Sequence, residues 1–185
     1  MGLLRRLRRF GTVDDGGPAL EFGLLLPFLV VLLLGGIEAG RLLVLGQKIE
    51  RVAGTLADLV SQAEALTAAE VDALLVAAKH IASPFQFEDA GAVIVSSVGL
   101  DGRGRPVVNW QRKGGGQLAV SSSVGRPGRR ATLPAGFSIR SGETVIVAES
   151  YYDFHPLVFG QVFPPRIVQH LALFRPRLGA LETLD

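Results

Sequence analysis

The order of apolar and polar residues changes rhythm along the chain, and each rhythm predicts a different element. Phe22 to Ile37 contains no charged residue, and after Glu38 and Arg41 the apolar character resumes through Leu42, Leu43, Val44 and Leu45. Sixteen residues rising about 1.5 Å each reach roughly 24 Å, a little short of a hydrocarbon core of about 30 Å. Flanking apolar residues supply the difference, so the run predicts a membrane-spanning helix. From Gly46 to Leu66 the apolar positions Ile49, Val52, Leu56, Leu59, Val60 and Ala63 recur at three- and four-residue steps. That is the stripe of an amphipathic helix, which continues the membrane helix outward as a stalk and packs on a sheet. Thr67, Ala68, Ala69 and Glu70 form a capping box before Val71, Leu74, Leu75 and Ala78, predicting a second, shorter helix that ends before Pro84.

Beyond Pro84 the texture becomes that of β structure. Ala92 to Val98 and Val107 to Arg112 read as strands joined by the turn Asp101–Gly102–Arg103–Gly104. Gly114 to Gly116 mark a loop, Leu118 to Ser123 suggests a further strand, and the Gly125 to Pro134 region is loop-like. Glu143 to Asp153 and Val168 to Phe174 read as the remaining strands. A long helix, a short helix and then antiparallel strands place the chain in the α+β class.

Composition narrows the setting. The 185 residues hold one modest domain plus an anchor, and their 48% hydrophobic content with only 7% aromatics means that the excess is aliphatic. The formal charge of +2 conceals an uneven layout. Arg5, Arg6, Arg8 and Arg9 precede the apolar run, whereas Arg41, Lys48 and Arg51 follow it among acids. The positive-inside rule therefore keeps the N-terminus cytoplasmic and exports the rest. Gln47 to Asp89 leans acidic, while Leu100 to Arg140 carries eight Arg or Lys residues against Asp101 alone. Cysteine is absent, which excludes disulfides, thiolate metal sites and a cysteine nucleophile. A secretory signal peptide fits less well, because the apolar run is long and passes into an amphipathic helix with no break at a small-x-small site.

Glu21 stands at the head of the apolar stretch, where an unpaired carboxylate facing hydrocarbon is costly and therefore a functional candidate. It belongs to the sequence Gly16-Gly17-Pro18-Ala19-Leu20-Glu21-Phe22, in which a glycine precedes a Glu-Phe pair by five residues, with basic residues before and an apolar helix after. This is the type IV prepilin pattern. Together with Pro27 and the later Ile37-Glu38-Ala39-Gly40-Arg41, and with Val145 to Pro156 and Phe174 to Arg177 near the other end, it resembles the TadE/TadF-like minor pseudopilins of tight adherence (Flp) pilus systems.

The resemblance implies cleavage after Gly16 by a prepilin peptidase, with Gly17 as the new first residue and Gly16, Gly17, Glu21 and Phe22 as the processing determinants. Cleavage after Gly17 is the lesser alternative, and Pro18 would stand second in the mature chain. A carboxylate one turn into the helix is favoured by the helix dipole and can pair with the new ammonium, its own or a neighbour's. Glu21, Pro27, Glu38 and Arg41 become candidate subunit- and helix-packing positions. Glu38 and Arg41, at i and i+3, share a face on which each can offset the other's charge. Pro27 removes a backbone donor and predicts a bend.

The expected organisation is a cleaved basic leader (1–16), a transmembrane helix (17–46), extracytoplasmic amphipathic helices (47–83) and an extracytoplasmic β-rich, pilin-like domain (84–185). The implied protein is a non-enzymatic minor pseudopilin of the inner membrane acting in Tad/Flp-type pilus assembly. Its implied partners are the prepilin peptidase, other pilin-like subunits (a second pseudopilin and the major pilin) and the inner-membrane assembly platform. The alternative is an uncleaved signal-anchored periplasmic binding or envelope-scaffold protein.

No catalytic constellation is visible, and neither metal nor cofactor is expected. His80, His155 and His170 match no short ligand motif, Ser121 to Ser123 and Ser138 lack a nucleophile elbow, and Gly114 to Gly116 lack the Lys-Ser/Thr of a phosphate loop. A membrane-tethered hydrolase would need His155, His170 and Asp153 to share a deep pocket. The basic 100–140 region has Trp110 almost alone among aromatics, so nucleic acid is not an expected partner. Arg126, Arg129 and Arg130 are instead candidate contacts to the acidic stalk of a neighbouring subunit.

Overall fold

The computed structural model describes residues 17–184. The basic leader, with Gly16, lies outside the described residues. The elements are helix α1 (Gly17–Ser61), α2 (Ala68–Val76), the single turns α3 (Ala78–Ile81) and α4 (Phe87–Ala90), and strands β1 (Gly91–Leu100), β2 (Pro106–Gly114), β3 (Val145–Phe154) and β4 (Arg166–Phe174). The fold is α+β. The chain divides into two units, one up to Gly40 and one from Arg41 onward.

In the first unit the described chain is helix alone, and every residue from Gly17 to Leu33 is exposed. Pro27 lies inside the helix, which continues past it. The second unit carries the core. Its four strands form one antiparallel sheet in the order β2-β1-β3-β4. A bulge between Ser97 and Val98 leaves Asn109 without a partner on β1, since Trp110 pairs with Ser97 and Val108 with Val98.

Two apolar clusters sandwich the sheet. On one side Leu45, Ile49, Val52, Leu56 and Val60 of α1 are buried against Val93, Val95, Trp110, Ile146, Ala148 and Phe154. The predicted stripe thus packs on the sheet, with Leu59 at its margin and 37% exposed. The buried Ser150 Oγ donates to the Ile49 carbonyl at 2.7 Å. On the other side Val98, Val108, Val145 and Val147 meet Val124 and Ala131, with Leu133, Phe137 and Ile139 packed around them. Those last five residues belong to the long connection 115–144, which turns apolar side chains onto the sheet.

The second helix begins as its capping box requires: Thr67 N–H donates to Glu70 Oε2 at 2.8 Å and Glu70 N–H to Thr67 Oγ1 at 3.2 Å. It stops at Val76, and the separate turn α3 completes the stretch before Pro84. The expected strand Leu118–Ser123 is irregular instead. Its leading amides are committed elsewhere, Gln117 N–H to the Glu88 carbonyl at 2.9 Å and Leu118 N–H to the Gly91 carbonyl at 3.0 Å, while Ser122 and Ser123 turn their hydroxyls to Glu149.

Candidate functional site: the N-terminal helix and the basic turn

The first unit places Gly17 at the start of α1 and Glu21 and Phe22 just past the first turn, both exposed, with Phe22 at 59%. At 100° per residue Gly17 and Glu21 lie on one helix face. Among the described residues α1 alone is long and apolar enough to cross a membrane, and none of its most apolar 18-residue window is buried. A stretch of Leu, Val and Phe this large and this bare needs lipid or other helices around it, because water would penalise its exposure by about 25 cal/mol for each Å². Pro27 sits within that stretch, where neighbouring helices can supply what its missing N–H removes. Glu38, near the end of this unit, is only 2% exposed.

The second unit opens with Arg41, whose guanidinium lies 5.7 Å from the centre of the Phe154 ring. Arg126, Arg129 and Arg130 are brought together on one exposed turn. Arg129 N–H donates to the Arg126 carbonyl at 3.0 Å, and Gly128 takes a φ of +71° between them. The turn is fixed along the outer edge of β2, where Gly128 N–H donates to the Val108 carbonyl at 2.8 Å and Val108 N–H to the Arg129 carbonyl at 3.0 Å. It therefore covers an edge strand while holding three guanidinium groups toward solvent.

Three polar arrangements were not visible in the sequence. Glu149, fully buried on β3, accepts from Ser122 Oγ, from Ser123 N–H at 2.8 Å and Oγ at 2.6 Å, and from Tyr151 Oη at 2.7 Å. Burial above all, and then the hydrogen bond to this carboxylate, push the Tyr151 phenol up to about 12. Asp72 of α2 receives a two-pronged contact from Arg112 of β2. The Arg112 hydrogen bonds hold its carboxyl below the ordinary value and raise the guanidinium in return. Third, the segment after β4 returns to the core, where the Leu181 carbonyl accepts from Trp110 Nε1 at 2.9 Å and from Ser97 Oγ at 2.6 Å. A sign of the first lay in the Ser121–Ser123 run opposite an acid on an apolar strand, but sequence alone gave no pairing.

The histidines stay apart. His155 Nδ1 lies 3.6 Å from Asp153 Oδ1 near the surface, His170 sits opposite Ser150 in the β3–β4 register, and His80 lies in α3. Among the described residues no three His, Asp or Glu side chains converge as metal ligands.

Comparison with known proteins returned one family. Residues 16–58 match the sequence model of the TadE-like protein family, whereas no curated protein and no solved structure matched the chain. The matched stretch takes in Gly16, the bare apolar run, and α1 as far as its packed outer part, and it leaves the sheet unmatched. From Gly16 to Asp58, a segment that holds the prepilin-like pattern and most of the membrane-length helix, the chain is similar to the TadE-like family.

Proposed function

We propose that the protein is a minor pseudopilin acting in the assembly of a Tad/Flp-type pilus. A prepilin peptidase cuts it after Gly16 on the cytoplasmic side of the inner membrane. Helix α1 anchors it there as a single pass, the unit from Arg41 onward lies on the exported side, and the protein works by packing its helix against other pilin-like subunits on the assembly platform. The reading makes the chain the substrate of an enzyme rather than an enzyme.

One observation carries it: the TadE-like match begins at residue 16 and covers the apolar run of α1 that is left bare from Gly17 to Leu33. The chemistry is coherent with that placement. A cut after Gly16 creates an ammonium at Gly17, and the Glu21 carboxylate four residues on is the charge that can neutralise it, within the subunit or across to a neighbour. Pairing lowers the cost of burying the carboxylate when the helix start packs among other apolar helices.

The test is the intact mass and N-terminal sequence of the protein from cells with and without an active prepilin peptidase. A mature chain beginning at Gly17 only when the peptidase is active is the expected result. An unprocessed chain in both, arginine leader retained, would favour the uncleaved signal-anchored protein and remove the pseudopilin reading.

A further inference from the structure

The connection between β3 and β4 is unusual for an exported surface. Residues 156–165, Pro-Leu-Val-Phe-Gly-Gln-Val-Phe-Pro-Pro, contain no charge. Around them Leu157 is 71% exposed, Val158 55%, Val162 68% and Ile167 52%. The segment is ordered by its own turn, in which Val162 N–H and Phe163 N–H both donate to the Phe159 carbonyl, at 3.0 and 2.8 Å. It is bounded by His155 and Arg166, both exposed.

Its position in the second unit follows from the packing of α1 on β3. Ser150 Oγ contacts the Ile49 carbonyl, and Phe154 lies under Arg41. Four residues along a strand advance about 13 Å and eight residues along a helix about 12 Å, so β3 runs antiparallel to α1 and delivers the connection to the Arg41 end. Arg41 is the first residue of this unit. It lies four residues beyond the uncharged run that ends at Ile37, so the covalent chain alone keeps it within roughly 14 Å of that run. The headgroup layer on each side of the hydrocarbon core is about 5–7 Å thick. The opposite end of the sheet carries the charged turn Asp101–Arg105, beyond the Leu100–Pro106 pair.

We propose that the β3–β4 connection, residues 155–165, rests in the headgroup layer of the membrane that holds α1, with Leu157, Val158 and Val162 against the acyl boundary and Arg41 and Arg166 among the phosphates. This rests on the membrane-anchor reading of α1. The occupant is lipid because the chain enters the unit from the bilayer at the residue stacked on Phe154. Uncharged apolar side chains flanked by arginines are the composition that partitions to that boundary. The contact fixes the exported unit against the membrane surface at two points, the helix and the connection.

The chain has no cysteine, so single-cysteine variants each report one place. Full-length Val162→Cys, Arg103→Cys and Leu33→Cys proteins carry an environment-sensitive fluorophore in phosphatidylethanolamine/phosphatidylglycerol vesicles doped with nitroxide lipids. Quenching of the probe at 162 by shallow nitroxides, several-fold above that at 103, with the probe at 33 quenched by deep nitroxides, is the expected result. If 33 is quenched and 162 is no more quenched than 103, the connection does not touch lipid, while the anchor reading stands. An unquenched probe at 33 removes the anchor reading and this proposal with it. A blue-shifted probe at 162 that lipid nitroxides do not quench, and that reverts when unlabelled protein is diluted away, assigns the surface to a second copy and overturns the lipid contact.

Discussion

Gly116 has no room for a side chain: a Cβ there would lie 2.3 Å from the Gly91 carbonyl oxygen and 2.4 Å from that of Phe87. Both obstacles are backbone and cannot swing away, so Gly116→Ala should lower stability by about 1–3 kcal/mol, read as a shift of the urea midpoint of the full chain in detergent. The sequence showed the Gly114–Gly116 run as a loop and nothing more, because the atoms that demand glycine come from α4 and the start of β1. Tyr151 illustrates the same blindness for polar groups. No sequence pattern gives Glu149 a partner, yet the fold gives it two serines and a tyrosine. The tyrosine's folded pKa, about 12, lies above its ordinary 10.0. Its contribution to stability is therefore complete below pH 10 and is lost as pH rises through about 12. Burial also raises Tyr152, and these are the two tyrosines of the chain. An alkaline absorbance titration should leave at least one tyrosine un-ionised at pH about 10, releasing it together with unfolding at higher pH; ionisation of both tyrosines near 10 in the folded protein would contradict the buried Tyr151–Glu149 contact.

Elements with a clear period were legible. The stripe Ile49–Val60 and the Thr67–Glu70 box fold as their patterns require, since burial on one face is what a helical period encodes, and the apolar runs of β1 and β3 become central strands buried on both faces. The connection 115–144 and the segment after β4 were not, because both are held by scattered contacts to residues far away in sequence and carry no period of their own. For the latter segment magnitudes identify the contact that matters. Arg177 meets Asp58 at 2.8 Å, but the two side chains are 61% and 34% exposed, and such pairs contribute under about 1 kcal/mol. Leu181 is buried, and its carbonyl serves the indole of Trp110 and the hydroxyl of Ser97. Ending the chain before Gly179 would strand both donors and uncover apolar surface, a loss of about 3–5 kcal/mol, while Arg177→Ala should be nearly silent. Trp110 is the sole tryptophan, so a red-shifted emission in the truncated protein and an unshifted one in Arg177→Ala would be the signature.

At the scale of the whole molecule, the chain separates a bare apolar helical stretch from a packed α+β unit, and the acidic 47–89 and basic 100–140 stretches both fall in the second. The sequence revealed a helix long and apolar enough to cross a membrane and the basic character of the 100–140 region; it did not reveal that three of that region's arginines share one turn on an edge strand. If that turn meets the acidic stalk of a neighbouring pilin-like subunit, Arg129→Glu with Arg130→Glu should reduce co-purification of the partner several-fold at low salt and little at high salt. Equal recovery of partner with the altered protein would rule the contact out. One contact across the core also sets a timetable. On the proposed topology the helix is already lodged in the bilayer while the remainder is threaded outward. Trp110 reaches the far side 71 residues ahead of its acceptor on Leu181, an interval of about 4–14 s at the usual pace of synthesis. Throughout it the first hairpin can lie against α1, yet the indole and the Ser97 hydroxyl beside it lack their acceptor. On that topology the half-built sheet would depend on water for both hydrogen bonds until the last few residues of the chain close over it.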